Sequence, residues 1–318
     1  MSAFLLKRLV ENALVMLAVS FLVYALIGLM PGDPIDLMLQ ADPSLTSADA
    51  ARLKALQGLD RPLLERWAGW LGRAVQGDFG FSRLYSLPAA TVLAERVPNT
   101  LLLMGLSFVL ALAIALPAGI WAAARPHGLF DRSVTLLAVA GFSMPAFWLG
   151  MLLIILFAVE LGWLPAGGSG SLGGGGGLER LRYLVLPVLT LTVLTAGIFV
   201  RFVRAAMLES LREPFVRTAR AIGCSEARVL LRHALPHAML PVVTMIALSF
   251  GSLFSGALVV ETTFAYLGVG KLIYDAILGS DFNLALLALM LATLVTLASN
   301  LAADLAYAWL DPRISYDA

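Results

Sequence analysis

Residues 100–124 read TLLLMGLSFVLALAIALPAGIWAAA, with no Asp, Glu, Lys or Arg anywhere in the stretch. About 20 such residues cross a hydrocarbon core of about 30 Å as a helix. A helix is the form that such a stretch can take there, because lipid offers its backbone no hydrogen-bond partner. Five further stretches satisfy the same test: about Leu9–Met30, Ser133–Val159, Leu184–Val200, Leu240–Val260 and Leu284–Leu310. The expectation is an all-α integral membrane protein with six transmembrane helices and a large extracytoplasmic loop after the first.

Composition agrees. The chain has 318 residues, 60% hydrophobic and 14% charged, where soluble chains carry about 25% charged residues. Disordered chains, secreted disulfide scaffolds and soluble enzymes of ordinary surface do not fit. A net charge of +1 gives no field for nucleic acid. One cysteine, Cys224, excludes an internal disulfide, and three histidines leave little for metal chemistry. Lys7 and Arg8 precede the first span as in a signal peptide. The apolar run is longer than a cleaved signal needs and no small-x-small site follows, so it reads as a retained anchor.

Orientation follows from basic residues in short connections. Lys7, Arg8, Arg125, Arg132, Arg313 and the seven arginines of segment 201–239 lie on one side, twelve in all. Arg180, Arg182 and Lys271 lie on the other. Both termini are therefore expected in the cytoplasm, with 31–99, 160–183 and 261–283 outside. The expected divisions are 1–30 (cytoplasmic N-terminus and first span), 31–99 (outer region), 100–310 (core) and 311–318 (cytoplasmic tail). Within the spans, Pro117 and Pro145 either kink their helices or are tolerated because neighbours re-satisfy the freed carbonyl. Asp304, near the end of the last span, suits a structural hydrogen bond better than a proton path, since no second acidic residue lies deep in another span.

In the outer region, Leu63, Leu64, Trp67, Trp70, Leu71 and Val75 recur at helical spacing after Asp60 and Pro62. They predict a short amphipathic helix. Trp67 and Trp70 either anchor it at the membrane interface or bundle mouth, or pack beneath a loop. The glycine run 167–177 contains a formal Gly-x-Gly-x-x-Gly, but no βαβ context surrounds it, and it reads as a flexible connection. Gly268-Val269-Gly270-Lys271 lacks both the first glycine and the Ser/Thr of a phosphate loop, so the chain has no Walker A site. His233 and His237 flank a proline with no third ligand near, and no catalytic constellation is found.

Segment 201–239 is the most informative. Two helical patterns flank Gly223-Cys224-Ser225. Gly223 suits a left-handed helix stop, Ser225 an N-cap, and Glu226 the positive helix start. The second helix is expected to end or kink at Pro236. A rigid elbow results, suited to a partner protein or to anionic lipid.

Arg217-Thr218-Ala219-Arg220-Ala221-Ile222-Gly223, nine residues, then His233-Ala234-Leu235-Pro236 resembles the cytoplasmic motif of ABC-importer permeases. Arg217-Thr218 replaces its leading Glu-Ala and His233 its Ile. Pro31-Gly32-Asp33-Pro34, Gly58-Leu59-Asp60-Arg61-Pro62, Gly77-Asp78-Phe79-Gly80-Phe81-Ser82, Arg96-Val97-Pro98-Asn99-Thr100 and Val260-Glu261-Thr262-Thr263-Phe264 with Gly268-Val269-Gly270 look like the first permease subunit of the peptide and nickel branch. Leu267 departs from that branch, which usually has proline before the glycine, and this puts the shape of turn 261–270 in doubt.

The resemblance implies a type I ABC importer permease fold. It implies a second homologous permease subunit, two ATPase subunits that bind ATP and Mg, and an extracytoplasmic solute-binding protein, with no cofactor on this chain. ATPase coupling falls to Arg217, Thr218, Ala219, Arg220, Ala221, Gly223, Ser225, Leu235 and Pro236. Asp60, Arg61, Trp67, Trp70, Asp78 and Glu261 are the residues expected to face the binding protein. Substrates are expected to be di- or oligopeptides, with nickel complexes, glutathione or oligosaccharides as alternatives. A stand-alone secondary transporter or channel is the competing class, and it would show an inverted repeat or an intramembrane ion pair, neither of which is visible in the sequence. An intramembrane enzyme would need a reactive pair within the spans, and none is found.

Overall fold

A computed structural model describes residues 2–29, 61–170 and 177–310. Among these residues the protein is helical throughout, with no β-strand and one isolated bridge between Phe81 and Pro88. The helices are α1 (Ser2–Gly28), α2 (Leu63–Val75), α3 (Ala89–Ala124), α4 (Leu129–Ser143), α5 (Ala146–Leu153), α6 (Gly177–Ser210), α7 (Pro214–Ala221), α8 (Glu226–Arg228), α9 (Leu235–Thr263), α10 (Val269–Leu278) and α11 (Phe282–Leu310). Two stretches widen to π-helical bonding, Ile154–Glu160 after α5 and Val229–Ala234 between α8 and α9.

Five helices are long and apolar enough to cross a membrane, and α4 with α5 and its π-helical continuation to Glu160 counts as a sixth when the bent pair is taken as one span. The expected span Ser133–Val159 is thus two pieces, at 104° to one another. The reason is local. Met144 is extended at ψ 135°, as a residue before proline prefers, and Pro145 caps α5. Pro117 lies inside α3 without a break, and Pro187 and Pro241 do the same in α6 and α9. With Pro98, also inside α3, proline is tolerated within a helix at four positions, while Met144–Pro145 parts the helix.

Helix limits exceed the apolar windows. α6 runs through Arg201 and Arg204 to Ser210, well past Val200. α3 begins at Ala89, so residues 89–99 of the expected outer segment are already helical. At 36 residues and 1.5 Å each it is about 54 Å long, more than a bilayer core requires. The stop at Pro31–Pro34 lies outside the described residues.

The chain divides into two units, residues 1–97 with 272–294, and 98–271 with 295–318. In the first, α2 packs on α1: Trp67 donates to the Ser20 hydroxyl at 3.2 Å and meets Phe21 edge-on, while Trp70 lies against Tyr24. In the second, α6 is the central helix, with 67% of its apolar window buried, and both α4 and α9 pack along it. Small residues let these backbones approach. A Cβ on Gly197 would strike the Ala138 carbonyl, and one on Gly141 would crowd Val193.

Candidate functional site

Two constructions in the second unit carry motif residues. The first is the elbow after α6. α7 starts at Pro214, where a proline's fixed φ and missing N–H suit the first turn. It ends in two reverse bonds: Cys224 N–H to the Ala219 carbonyl at 3.1 Å and Gly223 N–H to the Arg220 carbonyl at 3.0 Å. These are the paired bonds of a Schellman stop, and they require Gly223 at φ +86°. Nothing lies within 4 Å of the place a Cβ would occupy, so glycine is needed there for its backbone freedom alone.

The root of the elbow is apolar. Val216, Ala219, Val229 and Ala234 are buried together with Ala123, Val203, Met207 and Ala238 from α3, α6 and α9. The Ser210 hydroxyl donates to the Ala234 carbonyl at 2.8 Å and ties the end of α6 to the start of α9. Across the turn, the Arg220 guanidinium grips the Glu226 carboxylate with two bonds, 2.9 and 3.1 Å. Arg217, Thr218, Ala221, Gly223 and Ser225 are exposed around Ile222, itself 73% exposed. The arrangement is a finger with an apolar tip and basic flanks on a buried root.

Two expectations need correction. Ser225 occupies the N-cap position in extended conformation but makes no side-chain cap bond. Of the two outcomes expected at Pro236, an end or a kink, the end does not occur. The π-helical turns before it shift the bonding register, so its missing N–H falls in the first turn of α9, which continues to Thr263. Leu235 is half-buried beside that root and Pro236 is exposed.

The second construction is a carboxylate turn at the far end of α9. Glu261 has 0% exposure. Its carboxylate accepts the Thr100 hydroxyl at 2.6 Å and the Lys271 amide at 3.1 Å, with the Gly270 amide also bonded to it. The same Thr100 oxygen accepts the Val269 amide at 2.7 Å. A Cβ on Gly268 would overlap the carboxylate, and one on Gly270 would overlap the Leu258 backbone. Here the glycines provide room. Tyr266 is buried against this group; burial pushes its phenol up to about 12, the Glu261 charge adds to the shift and Arg180 opposes it. The Leu267 amide donates to the Ser169 hydroxyl at 2.7 Å, and its carbonyl accepts from Asn99 at 2.7 Å. The Gly168 amide donates to the Phe264 carbonyl at 2.8 Å, so the start of the glycine run is docked on this turn.

Residues 115–316 match the model of the binding-protein-dependent transport system inner membrane component, and residues 1–103 match that of its N-terminal part. The chain belongs to that family. The permease is 36% identical to the oligopeptide transport system permease protein AppB of Bacillus subtilis over 318 residues, 99% of this chain and 100% of AppB. It is 39% identical to the glutathione transport system permease protein GsiC of Escherichia coli K12 over 313 residues, 98% and 99% of the two chains. It is 37% identical to a putative peptide permease of Brucella suis over 316 residues, 99% of each. These relatives place it among the peptide-branch permeases of ABC importers. A chain of the MetNI methionine ABC transporter shares the fold at TM-score 0.58 and 20% identity, over 70% of the permease and 98% of that chain.

Of the residues expected to meet a binding protein, Arg61 and Asp78 are exposed, and the Asp78 carboxylate caps the Gly80 amide at 3.0 Å. Trp67 and Trp70 turn toward α1 instead, because stacking and the Ser20 bond give them partners within the permease. Glu261 faces inward, since the Thr100 hydroxyl and the Gly270 and Lys271 amides close around its carboxylate and leave no surface. Asp60 lies outside the described residues. Among the described residues no group of metal-binding side chains is present; His237 stacks on Phe215 at 4.4 Å. Asp304 is half-buried and engaged with a partner.

Sequence reasoning missed two carboxylates. Asp281 is 1% exposed and accepts the Ser82 hydroxyl at 2.5 Å and the Leu84 amide at 3.0 Å, so it fastens the Gly77–Ser82 motif within the first unit. Asp131 is held by both prongs of Arg204. Asp281 three residues before an apolar run is a helix-start signal that could have found it.

Proposed function

We propose that the permease is the membrane subunit of an ATP-driven importer that moves short peptides into the cytoplasm, and that the elbow receives the ATPase stroke. The observation that carries this reading is the finger: an exposed Ile222 tip with Arg217 beside it, on a root buried among three membrane helices. Such a tip fits an apolar groove with an acidic rim on a partner ATPase. A displacement there reaches α6 and α9 through the buried root, and the Schellman stop leaves the turn few alternative conformations. In this reading ATP and Mg reside on two ATPase subunits, and a second permease completes the pathway. The termini and the elbow face the cytoplasm, as the basic residues direct. Residues 31–99, with Arg61 and Asp78 exposed, face an extracytoplasmic binding protein, and 100–310 form the transport core.

Gly223→Val tests it in the reconstituted importer with both permeases, ATPases and binding protein. A β-branched residue at φ +86° costs at least about 1–2 kcal/mol and distorts the tip. The complex should assemble and hydrolyse ATP while uptake falls by about tenfold or more. Normal uptake per ATP overturns the coupling role. Among substrates, peptides are favoured by the names of the relatives, with the tripeptide glutathione a second reading suggested by the 39% match. Ligand titration of the cognate binding protein separates the two.

A further inference from the structure

Asp131 lies in the first turn of α4 and is 3% exposed. Its carboxylate accepts the His127 amide at 2.8 Å, the Thr135 hydroxyl at 3.4 Å, and both Nε and Nη2 of Arg204, the latter at 2.8 Å. Arg204 lies on α6 less than two turns before Ser210, the last residue ahead of the elbow. The pair therefore joins α4 to α6 at the end of α6 where a push on the elbow would arrive. Two-pronged bonding fixes distance and angle together, unlike a point contact between charges.

Further along the same two helices, the contact is made by backbone. Gly197 of α6 lies against the Ala138 carbonyl and the Phe142 amide, and Gly141 of α4 lies against the Val193 carbonyl. Gly197 sits in a gap with no space for even one more carbon and Gly141 in a tight one, so sliding would drive side chains into the facing chain. α3 approaches α6 as closely at Gly119, against Val203 and the Val200 carbonyl. α4 then stops at Ser143, and beyond the 104° bend Gly150 of α5 lies against Thr263 and Phe264 of the carboxylate turn.

We propose that α4 and α6 move as one body, with Asp131 as the positioning residue that pins them, so that an elbow displacement is carried into the first half of the broken span and absorbed at Met144–Pro145. The drive in this picture rests on the coupling role proposed above. The rigidity of the α4–α6 pair does not.

The test uses the whole importer with Cys224→Ser in the permease and nitroxide labels at Leu137→Cys on α4 and Ile198→Cys on α6, both exposed positions. With Asp131 present, the dipolar coupling between the labels should be the same in nucleotide-free and ATP-trapped complexes. With Asp131→Asn it should differ between those states, uptake per ATP hydrolysed should fall by about tenfold, and Asp131→Glu should restore part of it. Should Asp131→Asn not assemble, Arg204→Lys keeps the charge, gives up the two-pronged bond, and should lower uptake per ATP by about threefold. A coupling that changes with state while Asp131 and Arg204 are intact overturns the proposal, as does uptake per ATP within about twofold of the parent in the assembled variants. Gly223→Val measured alongside keeps the two ideas apart. Normal transport in that variant with a constant α4–α6 coupling removes the elbow as receiver and leaves the pinned pair standing.

Discussion

The elbow and the carboxylate turn end their helices by the same backbone device, yet spend their residues in opposite ways. At the elbow, Cys224 and Gly223 donate back to Ala219 and Arg220; at the carboxylate turn, Tyr266 donates to the Glu261 carbonyl at 2.8 Å and Ala265 to Thr262 at 3.2 Å. The left-handed position is glycine in one and Ala265, at φ +48°, in the other. The residue four before the left-handed position is a buried alanine in one and a buried carboxylate in the other. An exposed finger has little packing to hold a strained turn, so it uses glycine. The carboxylate turn tolerates an alanine because Glu261, Phe264 and Tyr266 are all buried and bonded around it. One turn is held by its own backbone preference, the other by what it encloses.

Removing the enclosed group should therefore have the largest effect. Glu261→Ala strands the Thr100 hydroxyl and the Gly270 and Lys271 amides, at about 1–3 kcal/mol for each unsatisfied group. We expect most of the permease to be lost from the folded, detergent-soluble fraction, with any remainder melting far below the parent in a thermal-shift assay. Recovery and melting like the parent would show that the turn does not depend on the carboxylate. At the elbow, Gly223→Val should lower the melting temperature by only a few degrees while uptake falls by about tenfold or more, and that contrast is the comparison in experimental form.

A smaller effect of opposite sign is expected at Ala265. Relief of a left-handed alanine is worth about 1–2 kcal/mol, against about 0.4–1 kcal/mol of added freedom in the unfolded chain. Ala265→Gly should stabilise by about 0.5–1 kcal/mol and raise the midpoint by about 1–3 °C. A lower midpoint would mean that the alanine methyl is itself a needed contact.

The difference between the two turns also explains what was legible in the sequence. Six apolar windows gave the spans, since lipid leaves helix as the way to satisfy a buried backbone. The elbow was legible because its signals are local: glycine, serine and glutamate follow one another within four residues. Glu261 was not. An acidic residue next to an apolar run reads as surface, and the partner that encloses it, Thr100, is 161 residues away. Arg204 and Asp131 are 73 residues apart, and Ser82 and Asp281 are 199 apart. No periodicity reports such a pairing, which exists only after the helices have packed. The break at Met144–Pro145 was half legible, because proline marks a place where a helix can part, and only tertiary packing decides whether it does.

The smallest expected effect concerns Leu267, where the related subfamily usually has proline. The Gly268 amide donates to the Tyr266 carbonyl at 2.8 Å, a three-residue turn centred on Leu267, which is not among the positive-φ residues. A φ near −75° in such a turn suits a proline ring. What proline would remove is the amide that binds Ser169. That loss is worth about 0.5–1.5 kcal/mol, and the stiffer unfolded chain returns about 0.4–1 kcal/mol. Leu267→Pro should thus change stability by less than about 1 kcal/mol and leave assembly intact. Ser169→Ala should cost stability in the parent and nothing further beside Leu267→Pro, because the two then remove one bond between them. Additive losses would show that Ser169 acts through some other contact, and a Leu267→Pro chain that fails to assemble would show that the amide, and not the enclosed carboxylate, holds the turn.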